Sequence, residues 1–209
     1  MLPMDRSVAP SPGSRRPGRP REFDLDQALD KAIGTFSENG YYATSLGKLT
    51  TAMEIAEGSL YKAFRDKRGV FLAAFERYIM LRRDRLAREL ANTRTGRDKV
   101  RALLAVYAEY SCGEAGRRGC LVVVSAVDLA SSDPEMAKRV AVVLASQERR
   151  LVEFIGEGQE DGSISSRVDV AVTARLLLCM VQGMRVLGKT GRSHEEMASL
   201  VDSALKLLD

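Results

Sequence analysis

The 209-residue chain contains no tryptophan, one histidine and three cysteines, and each scarcity closes a route. A lone His194 leaves no second imidazole for a His-based metal site and little material for a Ser-His-Asp constellation. Cys112, Cys120 and Cys179 are odd in number and widely spaced, so they form neither a disulfide framework nor a C-x-x-C metal clamp. The sequence has no G-x-S-x-G elbow, phosphate loop or H-E-x-x-H pair. An enzyme, a metal and a cofactor are therefore not expected. No uninterrupted apolar run approaches the ~18–20 residues of a membrane span. The longest, Ala171–Val181, is broken by Arg175, and the N-terminus lacks the apolar core of a signal peptide. The expectation is a cytoplasmic protein without a membrane partner.

What is present is charge with an uneven distribution. Residues 1–85 carry 15 Lys and Arg against 11 Asp and Glu, whereas residues 86–209 carry 17 of each. The excess lies mostly before Glu22. A neutral body with a basic end suits a polyanion partner at that end.

Helical periodicity dominates the rest, and strand alternation is absent. Residues 1–21, rich in Pro, Ser, Gly and Arg, form a disordered basic arm by composition. Asp24, with Gln27 in a capping-box-like spacing, opens a helix whose inner face is Leu25, Ala28, Leu29, Ala32, Ile33 and Phe36, closed by Asn39-Gly40. Thr44 is expected to cap a short second helix, and a third runs from about Ala56 to Phe64. Asp66 caps a long helix to about Ala91. Further helices are expected from Arg97 to about Ser111 and over the apolar Cys120–Leu129 segment. A later one runs from Asp133-Pro134 to about Gly156, and the last two over Val168–Leu187 and Ser193–Leu208. Gly156–Ser166 reads as a polar loop. The expectation is an all-α fold of about nine helices. Residues 22–68 are expected to form a helix-turn-helix unit, and 69–209 a larger helical domain.

Three short helices, with a tight turn near Glu54-Ile55 between the second and third, fit the helix-turn-helix plan. The hydroxyl and free amides at Thr44 and Ser45 suit a phosphate, with the cation of Lys48 on the same short helix. In Glu57-Gly58-Ser59-Leu60-Tyr61-Lys62, Leu60 points inward and the others outward. Gly58 and Ser59 are small enough for close approach to base edges, while Tyr61, Lys62 and then Lys67 can reach phosphates or bases. Spacing alone also fits a helical bundle with a solvated polar face.

The stretch AIGTFSENGYYATSLGKLTTAMEIAEGSLYKAFRDKRGVFLAAF, from Ala32, resembles the DNA-binding domain of the TetR family of transcriptional regulators. The resemblance runs from about Gly18 to Tyr78 and includes GYYATS and GSLYKAF-DK in order. It implies a phosphate-contacting cap at Thr44 and Ser45, a recognition surface at Glu57, Gly58, Ser59, Tyr61 and Lys62, and a phosphate contact at Lys67. It also implies a dimeric repressor on a palindromic double-stranded DNA operator, released by a small-molecule effector. Two positions depart from the pattern. Glu54 stands where many relatives have Gly, and Gly47 interrupts the second helix.

The second half resembles one subgroup in which Gly-Cys-Leu opens a helix, here Gly119-Cys120-Leu121. Tyr107, Tyr110, Cys120, Met136, Phe154 and Met180 are candidate pocket residues, although residues of this kind are more often plain core. Ala171, Ala174, Leu178, Val181, Met197, Val201, Ala204 and Leu208 are the candidate homodimer face. The alternative is internal packing, and the need of a short helix-turn-helix unit for two half-sites favours dimerisation. Cys120, beside Arg117 and Arg118 at a helix start, is a candidate oxidant or electrophile sensor with Cys112 as resolving partner. The alternative is a small buried thiol. Finally, Arg16-Pro17-Gly18-Arg19-Pro20-Arg21 resembles an AT-hook type of minor-groove peptide. Arg15, Arg16, Arg19 and Arg21 are accordingly candidate DNA contacts. A helical protein–protein adaptor is the competing class, and sequence-selective DNA binding separates the two.

Overall fold

Seven polar side chains each turn an oxygen onto the free amides at the start of a helix, and together they punctuate the chain. They are Asp24, Ser45, Asp66, Thr95, Asp133, Asp169 and Ser193. Each satisfies donors that the first helical turn leaves without partners, contributing about 1 kcal/mol. They were located in a computed structural model, which describes residues 24–209. Thr95 and Ser193 complete reciprocal capping boxes with Asp98 and Glu196.

The elements are α1 (Leu25–Asn39), α2 (Leu46–Met53), α3 (Glu57–Phe64), α4 (Lys67–Leu90), α5 (Gly96–Glu109), α6 (Gly113–Arg118), α7 (Leu121–Val124), α8 (Pro134–Glu160), α9 (Val170–Leu187) and α10 (His194–Leu205). A π-helical stretch, Ser125–Leu129, continues from the single turn of α7. No strand occurs among the described residues, so the all-α expectation holds.

Two apolar clusters organise these helices. The first joins α1, α2, α3 and the front half of α4 to α7 and the start of α8. At its centre Phe36 meets Phe71 edge-on at 4.8 Å, and both rings are fully buried. Each ring contributes about 1.5–3 kcal/mol through burial, and the pairing adds up to about 1.5. The second cluster joins the end of α4 to α5, the later part of α8, α9 and α10. Only α4 and α8 contribute to both, so these two long helices connect the N-terminal head to the body.

Three differences from the sequence reading have clear causes. Helix α8 runs through Gly156 and Gly158 to Glu160. Gly158 is not a loop signal: a Cβ on Gly96 would stand 2.1 Å from its backbone nitrogen, so the start of α5 crosses α8 backbone to backbone, while Gly156 has no such neighbour. The Cys120–Leu129 segment is one α-turn followed by π-helix, within which Ser125 Oγ donates to Leu121 O at 2.7 Å. Helix α6 has too few apolar residues to show a periodicity. It is held by close approach, since Cβ atoms on Gly116 and Gly188 would both meet the Ser111 carbonyl.

Helix α9 with its 3-10 extension, Val170–Thr190, is long and apolar enough by composition to cross a membrane. The uninterrupted-run criterion passes it over because of Arg175 and Arg185. Its inner face packs on α5 and α8.

Candidate nucleic-acid interface and effector cavity

The N-terminal face is built from α2 and α3 over a shared floor of Leu49, Met53 and Leu60, all buried. Ser45 rather than Thr44 caps α2, accepting from the Lys48 amide at 3.2 Å. Thr44 is fully buried and its hydroxyl donates to Gly40 O at 2.7 Å, so it shapes the turn and cannot serve as the expected cap. Ser45 and Lys48 are exposed, which leaves the anion-attracting end of α2 open to solvent.

The turn between α2 and α3 places Glu54 in the left-handed region at φ 57°, a conformation costing about 1–2 kcal/mol for a residue with a Cβ. Its carboxylate pairs with Lys31 at 2.7 Å. From α3, Glu57, Gly58, Tyr61 and Lys62 are exposed and Ser59 is half-buried. A Cβ on Gly58 would meet nothing within 4 Å, so no internal contact requires glycine there. Its smallness matters only to something approaching from outside.

Lys67 departs from expectation. It is half-buried, its Nζ donates to Tyr41 O at 3.1 Å, and it lies 4.3 Å from the centre of the Tyr41 ring. It braces the entry to α2 instead of projecting from the face. Tyr42, which sequence reasoning passed over, is 63% exposed beside that entry and shares a 3.0 Å hydrogen bond with Ser132. Arg15, Arg16, Arg19 and Arg21 lie outside the described residues.

In the body, a cavity of about 50 Å³ opens between α4, α5, α7, α8 and α9. Of the expected lining residues only Tyr107 and Cys120 border it. Met136 is fully buried in the first cluster, Phe154 is buried in the second, and Met180 packs on the second. Tyr110 lies behind the wall, stacked 3.4 Å from the Arg82 guanidinium. The residues that were missed are Tyr78, Ile79, Arg82, Arg83 and Leu86 of α4, with Ser146, Gln147 and Arg150 of α8 and Gln182 of α9. The α4 set recurs every three or four positions, a single helical face, but its arginines read as solvated.

Cys120 is buried, and its sulfur receives a hydrogen bond from the Tyr78 hydroxyl at 3.4 Å. Burial pushes the thiol pKa up. The Arg185 guanidinium and the Tyr78 bond outweigh it, so the net direction is down, toward thiolate. Burial and the sulfur's charge push the Tyr78 phenol up to about 12. The cation is thus Arg185, not Arg117 or Arg118. Arg118 is taken up by Glu114 and Glu38, while Arg185 is buried and held by the carbonyls of Tyr110 and Gly119. Cys112 has separate surroundings, with its sulfur 3.2 Å from Glu109 O and 3.5 Å from His194 Nδ1. Neither thiol is in a disulfide.

The cavity wall reaches the head through the α7–α8 corner. Asp128 on the π-helix accepts from the Tyr41 amide at 2.9 Å, and Arg68 holds Asp133 at 2.8 Å and Glu135 at 2.7 Å. Gly40 is required at the first contact: its φ is 82°, and a Cβ would stand 2.7 Å from Asp128 Oδ2.

Two family matches cover this architecture. Residues 28–74 match the bacterial regulatory proteins of the tetR family, and residues 96–203 match the tetracyclin repressor-like C-terminal domain. The chain belongs to the TetR family. It is 33% identical, over 91% of each chain, to the HTH-type transcriptional repressor ComR of Escherichia coli K12. A solved cysteine mutant of the TetR family regulator CifR, complexed with 26bp double-strand operator DNA, superposes with a TM-score of 0.79. It is 30% identical to this chain and covers 90% of it and 98% of its own length. FadR from Bacillus subtilis, solved with stearoyl-CoA, shares the fold at 19% identity and a TM-score of 0.68, with 87% and 96% coverage. The TetR chain described here is therefore a DNA-binding transcriptional regulator.

Within this TetR protein the expected dimer face is largely turned inward. Ala174, Val181, Met197, Val201, Ala204 and Leu208 are buried in the second cluster and Leu178 packs against it, leaving only Ala171 exposed. They are apolar because α9 and α10 must pack on α5 and α8 of their own chain. The outer face of α9 instead exposes Val172, Leu176, Cys179, Gly183, Val186 and Leu187, one continuous stripe at helical spacing. It borders an apolar groove of about 270 Å³ lined by Val122, Val123, Val127 and Val186. Sequence alone could not choose between the faces, since α9 is apolar on both.

Proposed function

We propose that this regulator is a repressor that binds a palindromic operator as a homodimer and is released by a small-molecule effector entering the α4–α8 cavity. The observation that carries the DNA assignment is the exposed Gly58-Tyr61-Lys62 face beside the open, Ser45-capped end of α2. Two such heads, one per protomer, read two half-sites. Ser45, Lys48 and Lys62 serve phosphates, while Gly58, Ser59 and Tyr61 approach base edges, with Glu57 beside them. The basic arm with Arg15, Arg16, Arg19 and Arg21 adds minor-groove contacts, so deleting residues 1–21 lowers both affinity and its salt dependence. The protein acts in the cytoplasm, where its DNA lies.

The test is operator selection from genomic fragments, followed by binding of the selected site at several salt concentrations. Tyr61→Ala and Lys62→Ala are expected to weaken binding by about tenfold or more each, Lys62→Ala also reducing the salt slope by about one. Unchanged affinity in both, or no preference for any sequence, favours an adaptor.

A second reading of the effector rests on the Cys120–Tyr78–Arg185 arrangement. A thiolate at the cavity wall adds to an electrophile such as an activated alkene. The sulfur bonds the β-carbon and the α-carbon takes the proton the thiol gave up. Exposure to N-ethylmaleimide then releases wild type from the operator and leaves Cys120→Ser bound. An equal response removes this reading, and a matching comparison with peroxide separates oxidation from alkylation.

A further inference from the structure

We infer that the effector cavity is built for a small organic anion, a carboxylate on a short alkyl chain, received chiefly by Arg82. This rests on reading the cavity as the effector site. Its wall carries the guanidinium groups of Arg82, Arg83 and Arg150 and, among the described residues, no acidic side chain. Among the described residues Arg82 Nε is buried without a hydrogen-bond partner. A buried donor left unpaired is costly, and a charged one more so, which an arriving acceptor relieves.

The guanidinium is already placed for such a ligand. It is sandwiched against the rings of Tyr110, at 3.4 Å, and Tyr78, at 4.6 Å, so its plane is fixed before anything binds. A fixed planar fork matches the two oxygens of a carboxylate better than a point acceptor. Burial keeps the Tyr107 phenol protonated, its pKa raised, so that it presents a donor and no negative charge. The Cys120 sulfur does not cancel this field, because Arg185 stands against it.

Size sets the other half of the chemistry. A water occupies about 10–15 Å³ of such a cavity, so 50 Å³ admits roughly four heavy atoms without movement of the walls. The remaining wall, including Leu103, Val122 and Val143, is aliphatic and suits two or three methylenes. Acetate therefore fits as the walls stand and propanoate with a small shift of the aliphatic side chains, whereas a long acyl chain does not. Because Arg82 lies on α4, which continues into the head, the bound anion acts on the helix that carries the DNA-binding face.

The experiment is calorimetric titration of the full-length dimer with sodium propanoate, with sodium chloride at equal ionic strength as baseline and propanamide and propylamine as neutral and cationic isosteres. Propanoate alone should bind. Arg82→Met, which keeps the stem over Tyr110, should weaken it by about tenfold or more, and Arg150→Gln by a smaller factor. Absent propanoate binding in wild type, equal binding of propanamide, or full affinity in both arginine variants overturns the inference. Operator binding without added ligand is measured on the same preparations. Its loss counts against the repressor reading alone, whereas operator binding that persists beside absent propanoate binding counts against the anion alone.

Discussion

Asp133 performs two tasks at one position. Its carboxylate accepts from the Glu135 and Met136 amides as the cap of α8, and it receives a two-pronged bond from Arg68 at 2.8 and 3.1 Å. The Arg68 bond first, then the capping amides, hold its pKa down at about 2, from 3.8. Because the folded value is depressed, the stabilisation is complete above the unfolded value and is lost as pH falls from about 4 through about 2. Asp133→Asn keeps a good cap and loses only the ionic part. Its stability deficit, measured by urea unfolding, should therefore be present at pH 6 and vanish near pH 2. A constant deficit would place the effect in packing. Glu54 gives a second case. Its positive φ makes Glu54→Gly more stable by about 0.5–1 kcal/mol, net of the exposed Lys31 pair it forfeits. Both residues were visible in the sequence, Asp133 as a cap before proline and Glu54 as a misfit in a turn. Their partners Arg68 and Lys31 were not, because sequence spacing does not report contacts 65 and 23 positions away.

Among the elements, those legible from sequence are the ones fixed locally. Helices α1, α4, α8 and α10 begin at the polar cap their sequences announce, and Ala28, Leu29, Ala32 and Phe36 of the expected α1 face are buried, whereas Leu25, in the first turn, stays exposed. What escaped was fixed by tertiary approach. Gly158 looked like part of a loop because its neighbour, the α5 backbone at Gly96, lies some sixty residues earlier in the chain. Gly96→Ala tests this directly. Its Cβ would stand 2.1 Å from Gly158 N and 2.4 Å from Phe154 O, and backbone cannot move aside as a side chain can. A loss of about 2 kcal/mol or more is expected by denaturant titration, against a near-neutral Gly58→Ala, whose added methyl faces open space. The same logic explains why Arg117 and Arg118 looked like the Cys120 cations. They are neighbours in sequence, while Arg185 is a neighbour only in the fold.

At the scale of the whole molecule, the head is read from its outer face and the body from its inner one, and α4 and α8 belong to both. The cavity sits where these two helices meet the α7 corner, and that corner holds the head through Asp128 and Tyr41 as well as Asp133 and Arg68. A ligand that moves either long helix therefore changes the angle of the head, but an angle has meaning on DNA only when a second head fixes the other half-site. Dimerisation is thus the condition for regulation, and we propose the exposed outer stripe of α9 as its surface. Leu176 lies mid-stripe and half exposed, so an arginine there fits the free chain yet faces a like charge and lost apolar contact across a twofold axis. Leu176→Arg should remain folded with an unchanged helical spectrum and sediment as a monomer. It should also bind the operator at least about tenfold more weakly, since each head then binds alone. The same substitution at Val201, on the inner face, should instead unfold the body, because it would bury the charge in the second cluster. If Leu176→Arg stays dimeric while retaining full operator affinity, the outer face of α9 is not the interface, and the coupling between cavity and DNA must run through a different surface.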